Sequence, residues 1–267
     1  MNVLQNYVWG LSKPQQYEET IIEITTTQPN QTFEWGEVTG AVQYYDWDND
    51  VRTNSKSHTF ANAGVYTIKI VGNIKHFRVE IKQNLNSLVT KIIQVADSIN
   101  NFSWTFFSCT NLTTIPNGLF DKNINVTDFT HCFTLCLNLT TIPSGLFNKN
   151  VNAIDFEGCF WSCSNLTTIP NGLFDKNINA IDFKSCFQHC TNLTTIPGGL
   201  FDKNVNAVDF KYCFWYCSNL TNRPKPHGLE MWQIAGTNGR PSEIIIGEMF
   251  KRCITMPDFA SLPSSVK

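Results

Sequence analysis

Residues 111–136 read NLTTIPNGLFDKNINVTDFTHCFTLC, and this stretch returns almost unchanged from residues 138, 165 and 192. Its Ile-Pro pairs begin at residues 115, 142, 169 and 196, so the period is 27 residues. A fixed period of this size predicts a repeat architecture, in which each unit covers the apolar face of the next. The stretch therefore decides the fold of most of the chain.

Each unit is predicted to contain one short helix and one short strand. The apolar residues Phe129, Cys132, Phe133 and Cys136 follow the i, i+3, i+4, i+7 spacing of one helical face. Residues 112–115 read LTTI and are followed by proline, which is typical of a short strand that cannot continue.

The outer units differ from the central ones. Residues 84–110 retain part of the apolar spacing and are interpreted as a degenerate first unit. The last unit repeats the helical stripe 36 residues after the unit before it, at Ile246, Met249, Phe250 and Cys253. An insertion near residues 223–243 accounts for the longer offset. We therefore predict six units over residues 84–253, with the outer two acting as caps, followed by a C-terminal cap at 254–267.

The pattern C-x-N-L-T-T-I-P-x-G-L-F-D-K-N, followed by C-F-x-x-C, resembles the leucine-rich repeats of BspA-like surface antigens, which are common in gut bacteria and their phages. The resemblance implies a leucine-rich-repeat solenoid that serves as an interaction scaffold. Together with the N-terminal region described next, the expected fold class is α+β: a small β-sandwich followed by a solenoid of about six units. A resemblance at the level of the fold does not identify a ligand.

Residues 19–83 are predicted to form the β-sandwich. Several short β-type runs are separated by Gly and Asn, and the clearest alternation places Phe77, Val79 and Ile81 on one buried face. Residues 57–72, SHTFANAGVYTIKIVG, resemble the paired strands of PKD-like immunoglobulin-type domains. In the preceding YDWDND stretch, the sequence DND replaces the glycine-containing turn of that family.

Residues 1–18 are interpreted as an arm that becomes ordered on a partner subunit. The N-terminal sequence lacks the basic and apolar regions of a secretory signal, so export is not expected. No stretch approaches the apolar length of a membrane span. A PKD-like domain followed by Cys-Phe repeats is similar to phage and prophage proteins of gut Bacteroidales, which implies a virion protein released by lysis.

Composition and motifs argue against several functions. The net charge is −2 and Lys and Arg do not cluster, which argues against nucleic-acid binding. His131 and His189 have no nucleophile or carboxylate at a catalytic spacing, and no phosphate-binding loop is found. We therefore expect no enzymatic activity, no catalytic residues and no cofactor.

The ten cysteines raise the question of metal binding or disulfides. They share the apolar stripe with Phe, and Thr105 and Met249 occupy the position of Cys132 in the outer units. A packing role, in which Cys acts as a small buried hydrophobe, is favoured over zinc or disulfides, and no metal site is expected.

A second possible metal site is the calcium-loop pattern of Asp46, Asp48 and Asp50. It lacks the later glycine and acidic residue, because Val51 and Ser57 stand at those positions. A hairpin turn is therefore favoured at this stretch.

Residues beside the buried stripe vary from unit to unit, and many are aromatic. Aromatic side chains on a rigid surface are typical binding anchors. The alternative is that these residues vary because they face solvent without a function, and that some of the aromatic side chains pack between neighbouring units. The candidate binding residues are Trp104, Phe107, Trp161, Tyr212, Trp215 and Tyr216.

Three functional hypotheses follow. In the first, the chain is a non-enzymatic virion-associated binding or adhesion protein. Its arm and sandwich attach to other virion subunits, and its repeats present a surface to a glycan or protein on the host or in the gut. In the second, it is a bacterial cell-surface adhesin whose leader is missing. In the third, it is a structural capsid or tail decoration protein.

Overall fold

The computed structural model describes residues 17–79 and 88–267. The described chain is nearly all β-structure and turns, and it contains no α-helix in those ranges. Short 3-10 turns occur at Pro226–Gly228, Met231–Gln233 and Phe259–Ser261. The strands are β1 Glu19–Thr26, β2 Gln31–Glu34, β3 Val38–Asp46, β4 Arg52–Thr53, β5 Ser57–Phe60, β6 Gly64–Phe77 and β7 Val89–Gln94.

The strands form two antiparallel sheets in a sandwich-like arrangement. One sheet has the order β4-β3-β6-β1-β7, and the other pairs β2 with β5. Alternate residues of β1 are buried, as expected for a strand with one face on a core. Phe33 of β2 and Phe60 of β5 contact Trp47, with ring centroids 6.3 and 6.5 Å apart. The β-sandwich predicted for residues 19–83 agrees with this arrangement, except that its sheet also includes β7, which lies in the stretch predicted as the first repeat unit.

The DND stretch connects β3 and β4 as the predicted hairpin turn. Asp48, Asn49 and Asp50 have φ angles of 89°, 51° and 61°. Asp and Asn tolerate the left-handed region better than most residues, so this turn forms without glycine. The amide of Trp47 donates to the carbonyl of Val51 at 3.0 Å and closes the hairpin.

Some predictions fall partly or wholly outside the described residues. Phe77 ends β6 and Val79 is buried, but Ile81, the third residue of the predicted strand face, is not described. Most of the predicted arm, residues 1–16, and the start of the predicted first unit, residues 84–87, also lie outside the described ranges.

The predicted α+β fold with a leucine-rich-repeat solenoid is wrong. In the repeat region, residues 99–267, the described chain has turns and isolated bridges where a helix and a strand were predicted in each unit. Each predicted helix is interrupted by two residues in the left-handed region. In the unit quoted first these are His131, with φ 53°, and Leu135, with φ 61°. Non-glycine residues do not adopt this conformation inside a right-handed helix.

The backbone hydrogen bonds explain why the apolar pattern predicted a helix where the structure has successive turns. Alternate N–H groups donate to the next unit: Phe129 to Asp155, His131 to Glu157, Phe133 to Cys159 and Leu135 to Trp161, at 2.7–3.0 Å. The intervening N–H groups of residues 132, 134 and 136 close turns onto the carbonyl three residues earlier. Consecutive four-residue turns bury the same i, i+3, i+4, i+7 positions as a helix, so the apolar pattern fits both structures.

The predicted LTTI strand is an extended segment with few backbone bonds. Leu112 and Ile115 are buried, and Thr113 and Thr114 are exposed. The amide of Thr140 donates to the carbonyl of Thr113 at 3.3 Å, and the corresponding bonds recur at later units. Pairing extends only to isolated bridges such as Thr168↔Thr195, which is too little for a ladder.

Rows of stacked phenylalanines form the core of the repeat region. Equivalent rings in successive units are nearly parallel, as between Phe133 and Phe160 at 5.6 Å and between Phe160 and Phe187 at 5.5 Å. The row continues to Phe106 at one end and Phe250 at the other. Rings of this row therefore recur about every 5.5 Å, slightly more than the spacing of neighbouring strands.

A ladder of buried asparagines joins the units. Asn177 donates its amide Nδ2 to the carbonyls of Phe147 and Asn150, at 3.2 and 2.8 Å. Equivalent bonds are made by Asn123, Asn150 and Asn204. Arg240 follows Asn204 by 36 residues and donates to the carbonyls of Asn204 and Phe201, at 2.9 and 2.5 Å. The arginine thus continues the asparagine ladder at the offset created by the insertion.

One core connects the sandwich, the repeat region and the C-terminus. The ring of Phe77 in β6 lies 5.6 Å from that of Phe106, and the amide of Val79 donates to the carbonyl of Thr105 at 3.0 Å. At the other end, the amide of Phe250 donates to the carbonyl of Val266 at 2.9 Å. The sandwich and the C-terminal segment therefore cover the two ends of the stack.

Candidate binding face

The variable aromatic side chains lie on the outside of the stacked turns. Tyr216 is exposed, and the other five predicted residues are half-buried. Trp104, Tyr212 and Tyr216 each adopt a positive φ, so the turn geometry sets the direction in which these side chains leave the backbone. The name aromatic face is used below for the predicted residues together with His131, Gln188 and His189.

The structure brings the predicted residues into two groups. In the first, Trp104 contacts Phe107 at 5.0 Å and His131 at 4.1 Å, and His131 lies 5.6 Å from Trp161. The second consists of Tyr212, Trp215 and Tyr216 with His189, whose ring is 4.8 Å from those of Trp215 and Tyr216. The two histidines therefore join aromatic residues of neighbouring units.

Gly158 makes room for the first group. Its φ is +59°, and a Cβ atom at this position would lie 2.3 Å from the imidazole of His131. The hydroxyl of Thr134 donates to the carbonyl of Gly158 at 2.6 Å, so its contact with Nδ1 of His131 at 2.9 Å requires Nδ1 to donate. Burial lowers the pKa of His131, and also that of His189, which favours neutral imidazoles at pH 7.

A row along the aromatic face alternates aromatic and smaller side chains. From unit to unit it contains Phe107, Thr134, Trp161, Gln188 and Trp215. Gln188 is only 8% exposed, and its amide, which bonds no described residue, keeps contact with solvent. The indole Nε1 atoms of Trp161 and Trp215 are buried without a partner in the described chain. Such unsatisfied polar groups are rare in folded proteins.

Charged groups frame the aromatic face. The guanidinium of Arg78 lies 5.5 Å from the ring of Trp104, and the ammonium of Lys211 lies 4.8 Å from that of Tyr212. Between them, Lys184 pairs with Glu157 at 2.5 Å. The two ends of the face thus carry cations beside aromatic rings, whereas the middle carries a neutralised pair.

A ladder of aspartates borders the turns. Asp128, Asp155, Asp182 and Asp209 form parallel bridges in succession, and each carboxylate accepts the N–H two residues later at 2.7–2.8 Å. Burial, with a smaller contribution from neighbouring carboxylates, raises the pKa of Asp182 to about 6. Within the described ranges, no group of His, Cys, Asp or Glu is arranged to hold a metal ion.

All ten cysteines are free and buried. The Sγ of Cys163 donates to the carbonyl of Phe133 at 3.3 Å, and the equivalent thiols make the same bond in their units. Burial raises the pKa of the Cys163 thiol well above its usual value. The thiols therefore belong to the packed interior rather than to the aromatic face.

Sequence reasoning missed two rows of exposed aliphatic side chains. Ile124, Val151 and Ile178 form one, with exposures of 54%, 45% and 52%, and the other is Ile154 and Ile181, at 39% and 43%. These five residues are called the aliphatic rows below. The sequence contained one signal for these rows, because the N-I-N-A-I-D-F stretch places an isoleucine on either side of a buried alanine.

No family model matches the chain, and no curated protein matches it significantly. Among the described residues, no helix has the length and apolar character needed to cross a bilayer.

Proposed function

We propose that the chain is a non-enzymatic binding protein that presents its aromatic face to a ligand on a host surface. The observation that supports this proposal is the gathering of all six candidate residues into two aromatic groups on a regular stack. The backbone bonds between units make such a surface rigid, and rigid aromatic side chains lose little conformational entropy on binding.

A cell-binding assay tests this proposal. Labelled wild-type protein should bind cells of gut Bacteroidales, and the double variant Trp161→Ala/Trp215→Ala should lose most of that binding. Ile178→Ala, on the aliphatic rows, is the matched control and should bind as the wild type does. Equal binding by the wild type and the double variant would contradict a role for the aromatic face.

We further propose that the protein is carried on a phage particle, attached through the sandwich and the N-terminal residues. The resemblance in domain order to phage and prophage proteins supports this location. Purified particles should contain the protein, and removal of residues 1–18 should abolish incorporation without unfolding the repeat region. Finding the protein only in a bacterial envelope would favour the adhesin hypothesis instead.

The aliphatic rows favour a second candidate function, in which the repeat region packs against another virion subunit. Exposed aliphatic side chains in contiguous rows mark protein interfaces more often than solvent-facing surfaces. If this function is correct, Ile178→Ser should reduce incorporation into particles, whereas Trp161→Ala should not. Incorporation that is insensitive to Ile178→Ser would remove this candidate.

A further inference from the structure

We propose that the ligand of the aromatic face is a linear polysaccharide with a two-sugar repeat, bound along the stacking direction. This inference depends on the proposed binding function and adds the class of ligand. It follows from the spacing of the aromatic row, from the polar groups within it and from the poor fit of other linear polymers.

The row repeats every second unit. Phe107, Trp161 and Trp215 are separated by two units each, while Thr134 and Gln188 occupy the units between them. Equivalent rings of neighbouring units lie 5.5 Å apart, and strand-like neighbours are spaced by about 4.8 Å, so aromatic positions two units apart are separated by roughly 10 to 11 Å. A ligand that uses all three aromatic residues therefore needs an apolar face at this longer interval.

The polar groups of the row indicate hydroxyl-rich chemistry. Gln188 lies between the units of Trp161 and Trp215, and its amide reaches the surface without a partner in the described chain. A ligand that offers both a flat apolar face and hydroxyl groups can stack on an indole and satisfy an amide at the same time. Sugar rings have both features.

Other linear ligands fit less well. In an extended peptide, side chains on one face recur every two residues, about 7 Å apart, which does not match the row. An amphipathic helix has apolar positions about 10.5 Å apart, but it places further apolar residues between them, where Gln188 stands. Nucleic acid is disfavoured by the net charge of −2 and by the carboxylates that border the face.

The test uses the full chain and linear oligosaccharides of one to eight sugars, built on β-1,3- or β-1,4-linked two-sugar repeats, with binding measured by calorimetry. Affinity should rise when the chain reaches three sugars and again at five, by roughly tenfold at each step. Trp161→Ala should remove one of these steps, and Trp161→Phe should retain it. Gln188→Leu should weaken binding without changing the length dependence.

The controls separate this inference from the proposed function. Each variant is checked for an unchanged thermal transition, and Ile178→Ala should bind oligosaccharides as the wild type does. An excess of the eight-sugar oligosaccharides should compete with cells for the protein and abolish binding to cells. If aromatic-dependent binding to cells survives this competition, and no oligosaccharide shows the length dependence, the polysaccharide proposal is wrong while the binding function stands. If the wild type binds no cells, the proposed function itself fails.

Discussion

The β-sandwich and the repeat region connect their backbones in different ways. Ladders join the strands of the sandwich, as along the full length of β1, which pairs with residues 64–71 of β6. In the repeat region only alternate N–H groups reach the next unit, and the others close turns. Side-chain ladders of asparagine and stacked phenylalanine supply further links there. A chain can therefore stack at nearly the strand spacing without regular strands, provided that side chains satisfy part of the buried backbone.

Deletions should have the largest effect on the repeat region. Removing residues 138–164, one full period, keeps every residue in register and should leave a folded protein that is shorter by about 5 Å. Removing only residues 138–150 would place extended segments against turns, and no cooperative transition should remain. Circular dichroism and thermal melting distinguish the two deletions, and equal tolerance of both would contradict the assigned period.

Truncating a core ring tests whether the two regions unfold together. Phe160→Ala in the repeat region and Phe33→Ala in the sandwich should each destabilise the protein by about 3 to 5 kcal/mol, because both rings are fully buried. Since one core joins the regions, each variant should show a single transition. Hydrogen exchange followed by mass spectrometry reports on each region separately. Two separate unfolding transitions would show that the regions are independent.

The asparagine ladder predicts a smaller and more local effect. Asn177→Ala removes two buried hydrogen bonds, although each carbonyl still accepts a backbone N–H, and it should cost about 1 to 3 kcal/mol in the free energy of unfolding. Asn179→Ala is the matched control, because its bond to the carbonyl of Val151 is exposed, and it should cost less than about 0.5 kcal/mol. Denaturant titration measures both. If both variants lose the same free energy of unfolding, the buried asparagine bonds do not stabilise the repeat region more than an exposed bond does.

The aspartate ladder predicts the smallest effect. Burial raises the pKa of Asp182 from 3.8 to about 6, so between these values the folded protein binds more protons than the unfolded chain. The contribution of Asp182 to stability therefore improves as the pH falls from 7 to 4, by about 1 to 2 kcal/mol once solvent screening is considered.

Variants at two aspartates test this pH dependence. Asp182→Asn retains an acceptor for the N–H of Lys184 and should flatten that part of the stability profile. Asp121→Asn, on an exposed turn, should leave the profile unchanged. The free energy of unfolding is measured from pH 4 to pH 7 for the wild type and for both variants. A profile for Asp182→Asn that matches the wild type would contradict the assigned cause.

The binding candidates could be named from sequence because they vary inside an otherwise constant repeat. Comparison between units located Trp104, Trp161 and Trp215, but it did not show that His131 and His189 would join residues of neighbouring units. The exposure of the aliphatic rows was also missed. An isoleucine or valine next to a buried residue is as common in a protein core as on a surface. Whether such a side chain faces solvent depends on the direction of the turn, which local sequence does not specify.

The period, the buried apolar stripe and the longer offset before the last unit all follow from the amino-acid sequence. These features depend on which residues are apolar and on how far apart they recur, and both are explicit in the letters. The conformation of the stripe, successive turns rather than a helix, depends on the stacking of the units. Both conformations bury the residues spaced as Phe129, Cys132, Phe133 and Cys136, and the left-handed residues are compensated by hydrogen bonds to the next unit, a partner that exists only after the units have stacked.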